Sequence, residues 1–102
     1  MKNTVLAIAA AGLVSFGMAA QAGDVNAGKA AYGTCMGCHG GAGEGGVGPA
    51  VKGRDAAQLA GLLKKYRAGE QVGPMTALMA PMAASLSDAD IANLSAYMAS
   101  LK

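Results

Sequence analysis

Two cysteines three residues apart, with a histidine directly after the second, constrain this chain more than any other feature: Cys35-Met36-Gly37-Cys38-His39. Two thiols at that spacing can each add across a vinyl group of one protoporphyrin, and the histidine is then placed to bind its iron. The two thioethers would fix the ring against one short turn, and His39 would project along the ring normal as the proximal ligand. Competing chemistries ask for more than the chain offers. A thioredoxin-like pair needs a βαβ context, which the sequence pattern lacks. A zinc site wants four ligands, whereas the chain has two cysteines and one histidine in all. A disulfide or a chance match remain as bland alternatives, the second weakened because both cysteines lie inside the motif. The motif therefore reads as the attachment site of one haem c through Cys35 and Cys38.

The start of the chain fits such chemistry. Met1-Lys2-Asn3 is short and basic, and residues 4–18 form an apolar run too short to cross a bilayer comfortably. Ala20-Gln21-Ala22 supplies a small-x-small cleavage pattern. Residues 1–22 are thus expected to be a signal peptide and residues 23–102 the mature domain, with no stable membrane insertion after cleavage; an uncleaved anchor is the alternative. Export and haem attachment support each other, because reduced thiols meet haem on the outer face of the membrane.

Charge excludes one large class of function. The chain has 8 basic and 6 acidic residues, and loss of Lys2 with the signal leaves it near neutral before two haem propionates are added. No nucleic-acid partner is expected from that balance, and partner choice would rest on the shape and local charge around an exposed haem edge. Residues 23–102 contain no Phe or Trp, and Tyr32, Tyr66 and Tyr97 are their only aromatic side chains. Domains this small rarely gain more than ~3 to 5 kcal/mol from one core, so haem itself should complete the core and the apoprotein should be largely unfolded.

Asp24 is a candidate N-cap for a helix over residues 25–34, where Gly28 and Tyr32 share a face. A glycine inside a helix costs about 1 kcal/mol against alanine, so Gly28 points to a close helix neighbour. Residues 40–53 contain seven glycines and read as a loop. Its Gly41-Ala42-Gly43-Glu44-Gly45-Gly46 fits a dinucleotide-binding pattern but lacks the strand before it and the helix after it that such a site needs. Pro49, in a rigid Gly48-Pro49 step, offers a carbonyl suited to accept the second ring N–H of His39; an ordinary loop proline is the alternative. Asp55 can cap a helix through residue 68, with Leu59, Leu62, Leu63 and Tyr66 on one face and Gly69 as its stop. Lys64, Lys65 and Arg67 form a solvated side, with pairing of Arg67 or Tyr66 to a haem propionate as the alternative. Three methionines, Met75, Met79 and Met82, cluster in a loop around Pro74 and Pro81. Such clusters usually fill cores, but the iron needs a sixth ligand and no second histidine exists, so any of the three thioethers is a candidate. Ser87 and Asp90 form a capping box, opening a last helix that runs to the end with Ile91, Leu94, Met98 and Leu101 as its buried stripe.

Taken together, Cys35-Met36-Gly37-Cys38-His39, Gly48-Pro49, Tyr66-Arg67-Ala68-Gly69, Met79-Ala80-Pro81-Met82 and Leu86-Ser87-Asp88-Ala89-Asp90-Ile91 through Tyr97 resemble the class I c-type cytochromes. The likeness spans residues 23–102 and is greatest to small bacterial single-haem cytochromes c and to single domains of proteobacterial two-haem cytochromes c. It implies an all-α class I cytochrome c fold, three to four helices wrapped around one covalently bound haem. It further implies that the first and last helices cross near Gly28, Tyr32, Leu94 and Tyr97, and that Pro49 accepts from His39. By position relative to Pro81 and Ser87, it makes Met79 the sixth ligand opposite His39 and leaves Met82 as packing.

The function so implied is that of a soluble periplasmic one-electron carrier, not an enzyme. Its partners would be redox proteins such as a membrane cytochrome complex, a terminal oxidase or a periplasmic reductase. Two alternatives stay open: a haem enzyme or gas sensor with an open sixth position, and an electron-transfer subunit of a larger oxidoreductase.

Overall fold

A computed structural model describes residues 23–102; the expected signal peptide, residues 1–22, lies outside the described residues. Helices α1 (Val25–Ala31), α2 (Met36–His39), α3 (Ala56–Arg67), α4 (Thr76–Ala83) and α5 (Asp88–Ser100) follow in order, with a 3-10 turn at Tyr32–Thr34 between the first two. There is no strand among the described residues, and none of their helices is long and apolar enough to cross a membrane.

The helix starts are set by side chains that satisfy otherwise unpaired amides. Asp24 Oδ1 accepts from the amides of Asn26 (2.9 Å) and Ala27 (3.3 Å). Asp55 Oδ2 accepts from Gln58 N at 2.9 Å. Ser87 Oγ accepts from Asp90 N while Asp90 Oδ2 accepts from Ser87 N, both at 3.0 Å, closing the capping box. At the end of α3, Gly69 N donates to Tyr66 O and Glu70 N to Lys65 O, a Schellman stop that needs the left-handed conformation Gly69 adopts.

α1 and α5 cross at Gly28. A Cβ there would run into the carbonyl oxygen of Asn93 and lie 2.7 Å from Tyr97 Cβ, so only glycine lets the two backbones approach. Asp24 N donates to Asn93 Oδ1 at 2.8 Å beside the crossing, and the rings of Tyr32 and Tyr97 meet at 5.3 Å with a 55° tilt. Ile91, Leu94 and Met98 of α5, Leu59 and Leu63 of α3, Tyr32 and Val51 make the buried core.

Three expectations change. The 25–34 helix tightens into the 3-10 turn after Ala31. The last helix ends at Ser100, so Leu101 is extended and outside its buried stripe. The methionine segment is not a loop: it is α4, with Pro81 inside it.

Candidate functional site

The cysteine-histidine motif occupies a single helical turn. Cys38 N and His39 N both return to Cys35 O, at 3.3 and 3.0 Å, and this puts the two thiols and the imidazole on one short piece of backbone. Both cysteines are free thiols, Cys38 exposed and Cys35 half-buried. Burial pushes the Cys35 thiol above its ordinary pKa, with repulsion from Cys38 adding to it.

His39 is fixed from two directions. Its Nδ1 lies 2.8 Å from Pro49 O, and since a carbonyl only accepts, Nδ1 carries the proton. That leaves Nε2 as the basic nitrogen able to take a metal. Gly48 packs on the ring itself: a Cβ would sit 2.6 Å from Cε1 and 2.9 Å from Nδ1. The glycine loop is tied back to the motif by backbone bonds, Gly48 N to Cys38 O and Gly45 N to His39 O, both 2.7 Å. Tyr32 Oη donates to Gly40 O at 2.7 Å from beneath, and burial, followed by neighbouring Cys35, raises its pKa.

Beside this turn lies a cavity of about 430 Å³, a size usual for small-molecule and cofactor sites. Cys35, Cys38, His39 and Pro49 line it from the motif side, and Met79 and Met82 of α4, with Met75 just before that helix, line it from the other. The three methionines are not equivalent. Met75 and Met82 are exposed, whereas Met79 is half-buried and packed against the core. The remaining lining is mainly aliphatic, from α3, α5 and Val51.

These residues fit a haem. Two free thiols at the attachment spacing, a tautomer-fixed imidazole, thioethers and an apolar cavity are a matching donor set. No group of three His, Cys, Asp or Glu among the described residues could hold a metal ion alone.

The alternative of pairing Arg67 or Tyr66 to a haem propionate divides between the two residues. Arg67 does not line the cavity; its Nη1 pairs with Asp88 Oδ1 at 2.8 Å and donates to Leu86 O at 3.2 Å. Tyr66 does line it, and so does Arg54, half-buried and the only Lys, Arg, Asp or Glu among the described lining residues. Nothing in the sequence pattern singles out Arg54. Its place follows from the glycine loop folding back through Val51 N and Lys52 N to Gly43 O.

Comparison with known proteins agrees with this geometry. Residues 25–102 match the family model described as Cytochrome c. The chain is 46% identical over 81 residues to cytochrome c-554(548) of Halomonas halodenitrificans, covering 78% of this chain and 98% of that protein. It is 41% identical over 91 residues to cytochrome c-554(547) of Halothiobacillus neapolitanus, covering 79% and 100%. Cytochrome c-553 of Nitratidesulfovibrio vulgaris is 36% identical over 105 residues, covering 99% and 100%.

Proposed function

The chain belongs to the cytochrome c family, an all-α c-type cytochrome with covalently attached haem c, and on that premise we propose that it is a periplasmic one-electron carrier whose iron is closed by His39 and Met79. The observation that carries this reading is the cavity that both residues line, His39 locked to Pro49 and Met79 alone of the three methionines Met75, Met79 and Met82 half-buried against the core.

Bound haem supplies the one-electron change, between ferrous and ferric iron. The protein's part is to hold that centre still. Cys35 and Cys38 anchor it, and His39 offers Nε2 with its proton committed to Pro49. The Met79 thioether favours the ferrous form and raises the potential. Leu59, Leu63 and Leu94 keep water from the site, so little has to rearrange as charge changes. Arg54, with the Tyr66 hydroxyl, is the group of the lining suited to hold haem propionates.

Val47, Leu78, Met75 and Met82 are exposed and line the same cavity. They form an apolar rim on which a redox partner can dock, and near-neutral charge leaves recognition to shape. A membrane cytochrome complex, a terminal oxidase or a periplasmic reductase would be such a partner. Residues 1–22 act in this reading as the cleaved export signal. Addition of CO to the ferrous holoprotein tests the closed iron: an unchanged absorption spectrum is expected, and prompt CO binding would favour an enzyme or sensor instead.

A further inference from the structure

α4 has little of its own to hold it in place. Pro81 lacks the N–H that would bond to Ala77 O, and no side chain caps the helix at Met75. The packing of α4 on the rest of the fold runs through Met79 and Ala83, while Leu78 and Met82, with Met75 just before the helix, line the cavity. One buried polar side chain compensates. Thr76 is 5% exposed, and its hydroxyl oxygen accepts from Val72 N at 3.0 Å and Gly73 N at 2.8 Å. The same hydroxyl donates to Gly73 O at 2.7 Å. A threonine hydroxyl has two acceptor lone pairs and one donor, and here all three are used. They close the turn that leads the chain into α4, and Gln71 Nε2 reinforces it by donating to Gly73 O at 2.8 Å.

Thr76 stands three residues before Met79, on the same face of the helix. We propose that Thr76 is a positioning residue for the sixth ligand: its hydroxyl fixes the entry to α4, and the strength of that fixing sets how long the Met79 thioether stays on the iron. This rests on the reading of Met79 as that ligand. The other end of α4 is held differently, by Arg67 Nη1 on Leu86 O, beside an ion pair to the exposed Asp88. The buried hydroxyl turn is therefore the anchor that salt does not weaken.

Removing the hydroxyl without changing shape leaves two amides of a part-buried turn unpaired. Cyanide binding to the ferric holoprotein reads out the effect, since cyanide takes the iron only when the thioether is off. Thr76→Val should bind cyanide at least about tenfold faster than the wild type, and Thr76→Ser, which keeps the hydroxyl, within about twofold of it. A role in stability alone would lower the unfolding midpoint of Thr76→Val and leave the cyanide rate unmoved, and that result would overturn the proposal. If Thr76→Val does not load haem, the wild type decides. The limiting cyanide rate should then match hydrogen exchange at the Val72 and Gly73 amides, and a mismatch beyond about tenfold would overturn it. Met79→Ala separates the two layers. Fast cyanide binding in Met79→Ala with an unchanged rate in Thr76→Val sinks the Thr76 assignment alone, whereas a wild-type rate in Met79→Ala sinks the ligand assignment beneath it.

Discussion

The two sides of the cavity are built by opposite means. The motif side is glycine-rich, with Val51 its one core side chain, yet it is knit by backbone bonds from Gly45, Gly48, Val51 and Lys52 and by Tyr32 Oη from below. The α4 side is apolar and helical, yet it hangs from a hydroxyl turn at one end and an arginine at the other. Composition alone would rank them the other way round. What decides rigidity here is the number of satisfied backbone groups that cross between segments, and glycine contributes by letting those segments touch. His39 is thus tied into the fold by backbone bonds, whereas Met79, the proposed second ligand, depends on its contact with the core and on a short turn.

Breaking both sides at once has the largest effect. In the Cys35→Ser, Cys38→Ser double mutant haem is not attached, and the small core of Leu, Ile, Val and Met around Tyr32 lacks its centre. Circular dichroism on heating should show low helix content and no cooperative transition; native-like helix content without haem would contradict the view that both sides need the cofactor. A narrower break tests the motif side. Gly48→Ala pushes a methyl into the His39 ring, and urea unfolding of the holoprotein should show a loss of about 1 to 3 kcal/mol, as overpacking usually costs. CO should still fail to bind, because the α4 side is untouched. An unchanged stability would show that the loop yields more easily than its bonds suggest.

The smallest effect sharpens the α4 side. Arg67 holds the Asp88 carboxyl below the usual carboxylate range, by a hydrogen bond first and by charge second. Because the folded value is depressed, the pair contributes fully above the ordinary aspartate pKa of about 3.9 and is lost as pH falls through the folded value. Asp88→Asn should therefore lower the melting temperature slightly at neutral pH. That difference should shrink in acid and in high salt, since Asp88 is exposed. A difference that persists at low pH would show that the carboxylate charge, and with it the Arg67 pair, is not its source.

Much of this was legible in the sequence where the rule is local. Asp24, Asp55 and Ser87 announce helix starts because a cap is a contact between near neighbours, and Gly28 announces a crossing because a helix glycine needs a reason. The attachment motif is likewise contiguous. α4 was hidden because Gly73-Pro74 and Pro81 read as breakers, and because a segment of Met, Leu and Ala has no polar face to mark its period. Leu101 was misplaced since the stripe continues in sequence after the helix has ended. Arg54 was hidden for a deeper reason: it acquires its role from a fold-back several residues long, which no spacing rule encodes. Thr76 bonds only to residues three and four before it, a local turn masked by the Gly73-Pro74 breaker.

The central claim is that His39 and Met79 close the iron between a firm side and a lightly anchored one. A proton NMR spectrum of the ferrous holoprotein, repeated for Met79→Ala, tests it most directly. A methionine methyl shifted far upfield by the haem ring current should be present in the wild type and absent from the mutant. If the shifted methyl persists in Met79→Ala, Met75 or Met82 is the ligand; if the wild type has none, the iron is open and the carrier reading fails.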